Sequence, residues 1–206
     1  MFSEPMHRRY LLKTLAAWTA CGTGAVLVAC TESKPQFAAI DLTGADYGRD
    51  FQLVDHNGQP RTLKDFRGKV VVLFFGYTQC PDVCPTTMSE LAEAKRLLGP
   101  DGARVQGLFV TLDPERDTPQ VLKAYMENFD PSFLALRGTP EQLAALAKEY
   151  KVYYKKVPGA TPTSYTMDHS AASFVYDEKG RLRLYTRYGT GPAALASDLR
   201  LLLQGD

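Results

Sequence analysis

The chain has 206 residues, of which 45% are hydrophobic, and its 24 basic and 23 acidic side chains give a formal net charge of +1. This length and composition predict one globular domain with a sizeable core, and they argue against disorder. Because the charges are balanced and spread along the chain, bulk electrostatics do not predict a nucleic-acid partner.

The first thirty residues have the pattern of an export signal. A basic start precedes an apolar run at residues 15–29, and Cys30 follows directly. The sequence LVAC at residues 27–30 matches a lipobox, in which cleavage leaves the cysteine as the first mature residue with a diacylglycerol on its sulfur. We therefore expect residues 1–29 to be a lipoprotein-type signal peptide and Cys30 to be lipidated.

An uncleaved membrane anchor is the alternative for this segment. The apolar run is shorter than the roughly 20 residues that a membrane-spanning helix prefers, which weighs against an anchor. The sequence RRYLLK at residues 8–13 also resembles a twin-arginine signal, so export by the Sec or the Tat route is left open. Either route predicts a bacterial cell-envelope protein that its lipid holds on the inner membrane, facing the periplasm, or on the outer face of the cell membrane.

The cysteine count changes once this segment is set aside. Cys21 leaves with the signal and Cys30 carries the lipid, so Cys80 and Cys84 are the free thiols of the mature chain. A compartment outside the inner membrane permits disulfides, which favours a redox pair and leaves a metal site open. A purely structural disulfide fits less well, because such a short bridge closes a loop too small to add much stability.

The predicted domain begins after a short tether. Residues 30–45 have little periodicity and several turn formers, which predicts the lipidated cysteine and a linker, with the folded domain at residues 46–206. The domain opens with a β-hairpin within residues 51–63, because an Asn-Gly pair supplies a turn between two strand-like runs. His56 falls in this turn, where a histidine is more often solvated than bound to a ligand.

The remaining hydrophobic pattern alternates between strands and helices. Capping residues such as Thr118 and Thr139, each followed by a proline, mark helix starts, and continuous β-branched and aromatic runs mark buried strands. The predicted elements are a strand at 69–75, a helix at 85–99, a strand at 104–112, helices at 119–129 and 140–150, strands at 172–176 and 182–188, and a helix at 192–203. This order predicts an α/β domain of the thioredoxin-like fold, with a central mixed sheet flanked by helices and an N-terminal β-hairpin.

The paired cysteines stand where a buried strand meets a helix, in the sequence VVVLFFGYTQCPDVCP at residues 70–85. Each cysteine is followed by a proline, which disfavours helical backbone at the residue before it. We therefore expect Cys80 and Cys84 to lie in an extended loop ahead of the helix, whose positive end favours thiolate over thiol. Three residues separate the cysteines, whereas dithiol oxidoreductases of this plan generally use two; a disulfide remains feasible.

A metal site at these sulfurs needs a further ligand, and His169 is the candidate. It stands just before the strand predicted at 172–176, where thioredoxin-like oxidoreductases usually carry a cis-proline that faces the cysteines; residues 163–174 contain no proline. Outside this fold, a histidine in such a position is more often structural. Within it, Cys80, Cys84 and His169 offer two soft sulfurs and an imidazole, which suit Cu(I) and accept Cu(II) with an added ligand. Zinc is the competing metal, but structural zinc usually has four protein ligands, one more than this set supplies.

Four motifs occur together and in order along the chain. They are CPDVCP at residues 80–85, TLDPERDTP at 111–119, KVYY at 151–154 and DHS at 168–170. In this combination the chain resembles the Sco/SenC family of copper chaperones, from about residue 51 to the C-terminus. The resemblance implies a membrane-anchored, thioredoxin-like protein that binds Cu(I) or Cu(II) and delivers it to the CuA centre of cytochrome c oxidase during assembly.

The resemblance also implies site residues and partners. In that family two cysteines and a late histidine bind copper, which here means Cys80, Cys84 and His169. The implied partners are the CuA-bearing subunit of the oxidase, other periplasmic copper chaperones or thiol reductants, and the membrane through the lipid. A metallochaperone is favoured over a catalyst. The alternative is a thiol-disulfide oxidoreductase that keeps the CuA-site cysteines of the oxidase reduced, with Cys80 and Cys84 as its redox pair.

Two carboxylates are candidates for supporting roles. Asp113 follows the second predicted strand of the βαβ unit, at the sheet edge that the cysteine loop should share, where it can accept a hydrogen bond and tune the site. Alternatively, Asp113 shapes a proline-containing turn together with Arg116 and Asp117. Asp168 can orient His169 through a hydrogen bond or simply lead into the next strand.

Overall fold

The computed structural model describes residues 36–161 and 164–205. The predicted signal peptide at residues 1–29, the lipidation of Cys30 and the first tether residues lie outside this part of the chain. Among the described residues, no helix combines the length and the apolar character that crossing a membrane requires.

The strands and helices are numbered separately in chain order. The strands are Ile40–Asp41 (β1), Leu53–Asp55 (β2), Pro60–Arg61 (β3), Val70–Gly76 (β4), Val105–Thr111 (β5), Leu134–Arg137 (β6), Tyr154–Pro158 (β7), Tyr165–His169 (β8), Ala172–Tyr176 (β9) and Leu182–Arg187 (β10). The α-helices are Val83–Leu97 (α1), Pro119–Glu127 (α2), Pro140–Glu149 (α3) and Pro192–Leu203 (α4). Short 3-10 helices occur at Leu63–Phe66 and Gly99–Arg104.

The main sheet has the strand order β1-β10-β9-β4-β5-β6-β2-β3 in the described part of the chain. Strands β4, β5 and β6 run parallel, with α1 and α2 in their connections, whereas the other neighbours are antiparallel. Parallel pairing puts the carboxyl ends of β4 and β5 at the same edge, where the cysteine loop begins. The predicted thioredoxin-like fold, with its central mixed sheet, flanking helices and early hairpin, is confirmed.

The two central strands are buried along their whole length, as their continuous apolar runs predict. Alternate side chains face opposite sides of the sheet. On one side the Phe74 and Phe109 ring centroids are 6.2 Å apart, and Tyr125 of α2 packs on Phe109. On the other side the Phe75 ring lies 5.2 Å from that of Tyr150, at the end of α3. Helical segments therefore supply packing partners to both faces of the sheet.

Strands β7 and β8 form a hairpin of their own. Tyr154 pairs with His169 and Pro158 with Tyr165, and in the described residues this ladder shares no backbone pairing with the main sheet. The sequence patterns predict neither this hairpin nor β6. Strand β6 has four residues, too few to show a period, and its partners β5 and β2 are distant in sequence. Strand β7 has no buried residue and ends in a proline, which are features of a loop.

Residues 38–41 belong to the folded domain, although the sequence predicts a tether up to residue 45. Ile40 pairs with Tyr185 of β10, and the backbone N–H groups of Ala38 and Ala39 donate to the Asp198 carboxylate at 2.8 and 2.9 Å. The boundary predicted at residue 46 is therefore too late. Asp198 lies 160 positions along the chain from Ala38, so no local pattern could reveal the contact.

Helix α1 begins earlier than predicted and includes one of the cysteines. The N–H of Thr86 donates to the Asp82 carbonyl at 3.1 Å, so the helix opens at Val83 and Cys84 lies in its first turn. Pro85 does not prevent this, because the N–H groups of a first turn have no helical partner to lose. The expectation that both cysteines precede the helix is wrong for Cys84.

The other helix starts agree with their predicted caps. Thr118 and Thr139 each accept an N–H of the turn that follows, and α4 has its predicted bounds, Pro192–Leu203. His56 differs from expectation, because its Nδ1 accepts the Ala135 N–H at 3.2 Å and its ring is half-buried. The histidine of the turn is thus part of the packing between the β2–β3 hairpin and β6.

Candidate metal centre

The cysteine loop is held close against the end of the sheet. Strand β4 ends at Gly76, and a Cβ at this position would lie 2.8 Å from Cys84 Sγ and 2.9 Å from the Phe109 ring. A side chain of any size would therefore push Cys84 away. Glycine lets the first turn of α1 sit directly on β4, with Cys84 fully buried and Cys80 half-buried in the loop ahead of it.

His169 is the last residue of β8, and two aromatic rings fix its imidazole. Its ring centroid is 5.9 Å from that of Phe74 and 6.0 Å from that of Tyr77, both in edge-to-face geometry. His169 Nδ1 lies 2.9 Å from the carbonyl oxygen of Ser170. A carbonyl only accepts, so we assign the proton to Nδ1, which leaves the Nε2 lone pair free, 3.5 Å from Cys84 Sγ.

The three predicted ligands meet in one cluster. One ligand atom each from Cys80, Cys84 and His169 lie within 4.8 Å of one another. Ligands about 2.0–2.3 Å from a shared metal ion are roughly 3.5–4.0 Å apart in a trigonal arrangement, by the bond lengths that sulfur and imidazole make to zinc. The cluster therefore needs only a small contraction to hold an ion.

The pKa values of the two thiols are shifted in opposite directions. The hydrogen bond from the Cys84 thiol holds the pKa of Cys80 well below its usual range, against the effect of burial, and backbone N–H groups add to the lowering. One of these is the Cys84 N–H, 3.4 Å from Cys80 Sγ. The same hydrogen bond, together with burial, raises the pKa of Cys84. Cys80 is therefore the more readily ionised of the two, which makes it the better nucleophile and the readier metal ligand.

Of the two roles that the sequence left open for Asp168, the contacts favour a residue of a strand over an orienting hydrogen bond. It is exposed, opposite Lys155 in the β7–β8 ladder, while its neighbours Met167 and His169 point to the other face. The Ser170 carbonyl, and not the Asp168 carboxylate, is within hydrogen-bond distance of the His169 ring. Strand alternation thus directs the Asp168 side chain away from the His169 ring.

Asp113 is buried and belongs to a polar network beside the cluster rather than to the cluster itself. Its carboxylate pairs with Arg116 Nε and accepts the Tyr165 hydroxyl hydrogen bond at 2.9 Å. Arg116 Nη1 in turn donates to the Gln79 side chain and to the Tyr165 carbonyl, both at 3.0 Å. Asp113 therefore fits both interpretations. It shapes the turn after β5, and through Arg116 that turn contacts the residue before Cys80 and the first residue of the strand that ends in His169.

Asp117 is a supporting residue whose contacts the sequence did not indicate. It is fully buried and accepts hydrogen bonds from the Thr78 N–H at 3.1 Å, from the Thr78 hydroxyl at 2.6 Å and from the Thr111 hydroxyl. Burial raises the pKa of this carboxyl. Asp117 thereby ties the cysteine loop to the end of β5. Its neighbours in the chain show only a helix start, so local pattern gave no signal.

A separate cavity of about 1010 Å³ opens between the β2–β3 turn and the first turns of α2 and α3. Its lining includes His56, Lys123 and Arg137, and none of the three residues of the cysteine–histidine cluster. The candidate metal ligands therefore lie at the end of the sheet, outside this cavity.

The fold and the cluster define a thioredoxin-like protein with two thiols and an imidazole placed to hold a soft metal ion. The model of the SCO1/SenC family matches residues 41–204. The chain belongs to the SCO1/SenC family, as its four motifs predicted.

Individual relatives agree with this assignment. The chain is 42% identical over 141 residues to the mouse protein named SCO2 homolog, mitochondrial, a match that covers 68% of this chain and 54% of that one. It is 31% identical over 173 residues to a SCO2-like protein of Rickettsia felis, covering 82% and 84%. The solved structure of Bradyrhizobium japonicum ScoI with copper bound is 43% identical, with a TM-score of 0.69, and the match covers 75% of this chain and 98% of that chain. This chain thus spans about half the length of its mouse relative and most of the two bacterial ones.

Proposed function

We propose that this protein binds copper in the cell envelope and delivers it to the CuA centre of cytochrome c oxidase during assembly. The observation that carries the proposal is the cluster of Cys80, Cys84 and His169, whose ligand atoms lie within 4.8 Å of one another. The Bradyrhizobium relative, which was solved with copper bound, supports the choice of metal.

The ligand set favours copper over zinc. Two thiolates and one imidazole are soft donors that suit Cu(I) with three ligands, and an added ligand would accommodate Cu(II). Structural zinc usually takes four protein ligands, and the group found among the described residues supplies three. Both thiols must be reduced and deprotonated to bind, so loading depends on redox poise and on pH.

Delivery requires that a second protein can reach the ion. Cys80 and His169 are half-buried rather than enclosed, so donor atoms of the CuA-bearing subunit can approach the ion from solvent. Copper then passes by stepwise exchange of one ligand for another, and a site with few ligands favours such exchange. Other periplasmic copper chaperones are the proposed source of the ion.

We further propose that residues 1–29 are a signal peptide and that a lipid on Cys30 holds the protein on the inner membrane, facing the periplasm. The LVAC sequence at residues 27–30 supports this location. Replacement of Cys30 by serine should abolish incorporation of radiolabelled fatty acid and release the protein from the membrane fraction. Labelling that survives the replacement would contradict lipidation at this residue.

A thiol-disulfide oxidoreductase is the second candidate, and the pairing of the two thiols favours it. The Cys80 thiolate can attack a disulfide of the target, forming a mixed disulfide and releasing one target thiolate. Cys84 then attacks the Cys80 sulfur, which frees the second target thiol and leaves a Cys80–Cys84 disulfide. The oxidase cysteines would be reduced and those of this protein oxidised, without any role for His169.

Anaerobic titration of the reduced, detergent-solubilised full chain with Cu(I) tests both candidates. We expect one equivalent to bind in competition with a chromophoric chelator, and we expect Cys80→Ser and Cys84→Ser to abolish binding. His169→Ala should weaken binding by more than the roughly 100-fold that loss of an outer contact can cause, while disulfide exchange with a model substrate survives. If the parent binds no copper, or if His169→Ala binds as tightly, the chaperone proposal is wrong.

A further inference from the structure

Arg116 joins the two segments that carry the metal ligands. Its Nη1 donates to the side chain of Gln79, the residue before Cys80, and to the carbonyl of Tyr165, the first residue of β8, both at 3.0 Å. Strand β8 ends in His169. One guanidinium group therefore contacts both the cysteine loop and the strand of the histidine ligand.

The guanidinium is held in place on its other sides. Its Nε pairs with the buried Asp113 carboxylate, and its Cζ lies 3.5 Å from the centroid of the Tyr165 ring. The Tyr165 hydroxyl donates to the same carboxylate at 2.9 Å, which closes the arrangement. The Asp113 and Arg116 side chains are only 3% and 20% exposed, so solvent screens their charges less than on an open surface. A planar arginine fork can make all of these contacts at once, whereas a lysine cannot.

The β7–β8 hairpin depends on side-chain contacts for its position. In the described residues it makes no backbone ladder with the main sheet, and its two ends join it to α3 and to β9. Besides Arg116 and the Tyr165 hydroxyl, the ion pair between Lys156 and Glu115 links the hairpin to the loop after β5, but it is largely exposed and therefore weak. Arg116 is thus a partly buried polar connection between β8 and the cysteine loop, in addition to the packing of His169 on Phe74 and Tyr77 and of Met167 in the core.

One donor of Arg116 has no partner in the described part of the chain. Arg116 Nη2 is buried and has no hydrogen-bond partner among the described residues, and a buried donor without a partner destabilises the fold. The donors that do have partners are Nε, which pairs with Asp113, and Nη1, which contacts Gln79 and Tyr165.

We propose that Arg116 is a positioning residue for the cluster, which keeps His169 at the distance from Cys80 and Cys84 that lets all three bind one copper ion. The inference rests on the proposed copper-binding function. Arg116 touches no ligand atom itself and acts through Gln79 and the β8 backbone.

The test is a mutant cycle on the full chain in detergent, with Cu(I) affinity measured anaerobically against a chelator. Arg116→Lys keeps the charge but not the fork, and we expect it to weaken Cu(I) binding about 10- to 100-fold. In the His169→Ala background, Arg116→Lys should alter Cu(I) affinity by no more than about twofold, because the histidine that Arg116 positions is no longer a ligand. A purely structural role would give the same loss in both backgrounds, which would overturn the proposal.

Arg137→Lys is the matched control. Arg137 is also partly buried, and its Nη2 donates to the Pro114 carbonyl at 3.0 Å, on the same loop but away from β8. It should bind Cu(I) like the parent.

Hydrogen exchange of the metal-free chains separates this inference from the proposed function. Arg116→Lys should speed exchange in peptides covering residues 77–84 and 164–171, and Arg137→Lys should not. Unchanged exchange in both peptides would overturn the positioning role, whether or not the parent binds copper. A parent that binds no copper would instead overturn the proposed function.

Discussion

Replacement of Gly76 by alanine tests whether the close approach of Cys84 to the sheet shapes the metal site. A Cβ there would stand 2.8 Å from Cys84 Sγ and from the Phe74 ring, and 2.9 Å from the Phe109 ring. Ordinary contact begins at 3.4 Å, so the sulfur would have to move by about 0.6 Å. Its neighbours are buried and close-packed, where extra volume typically costs about 1–3 kcal/mol.

The expected result is a combined loss of stability and copper affinity. For a chain of this length, that cost lowers Tm by roughly 2–12 °C, measured by circular dichroism. Displacement of one sulfur from the other two ligands should weaken Cu(I) binding about tenfold or more, in the same range as loss of a supporting contact.

Gly107→Ala supplies the control for destabilisation alone. Its Cβ would lie 2.6 Å from the Phe133 ring, on β5 and away from the cluster. It should lower Tm without changing copper affinity. If both variants weaken Cu(I) binding equally, or if Gly76→Ala is destabilised yet binds like the parent, the close approach has no part in shaping the site.

Two further changes test the fold. Asp198→Ala removes the acceptor of the Ala38 and Ala39 N–H groups. The free energy of unfolding, measured in urea, should fall by about 2 kcal/mol, and hydrogen exchange at residues 36–42 should accelerate. Unchanged hydrogen exchange there would contradict the anchoring role of Asp198. Burial alone would raise the pKa of Asp55, but the bonds it accepts, including those from Gln59 and Arg61, lower it below 3.8. The stabilisation by Asp55 is therefore present above that pH and lost as pH falls below it. Asp55→Asn should lower the free energy of unfolding by about 1–2 kcal/mol at neutral pH, and in urea melts this free energy should fall less steeply with acid than in the parent. Equal slopes in the two proteins would refute this.

The ligand residues and the helix starts were accessible from sequence because their signals are local. The cysteines follow a strand of seven buried residues, and Thr118 and Thr139 cap helices through bonds to residues three positions on. His169 required one more step, the recognition that a thioredoxin-like plan brings the start of a late strand opposite the cysteine loop. Each of these predictions depends on chain neighbours or on a known topology.

The surroundings of the site were not accessible because they arise from contacts between distant segments. Arg116 meets Gln79 and Tyr165 across 37 and 49 positions, and Asp117 meets Thr78 across 39. No periodicity encodes such pairs. Asp168 is the converse case. It is next to His169 in the chain, but successive side chains of a strand point to opposite faces, so closeness in sequence does not bring the two side chains together. The Tyr165 contact and Asp168 both lie on the β7–β8 hairpin, which the sequence patterns did not predict.

The unequal burial of the two sulfurs fixes a sequence of events for any exchange at the cluster. Cys84 is fully enclosed beneath the loop, whereas Cys80 and His169 are partly open to solvent. In the proposed copper transfer, an incoming donor would meet the outer two ligands first, and the bond to Cys84 would be the last to break. If the alternative thiol-disulfide exchange operates, the same asymmetry would let Cys80 attack the target and leave Cys84 to resolve the mixed disulfide. One burial pattern would thus give both proposed activities the same order, in which the partly exposed ligands react before the buried one.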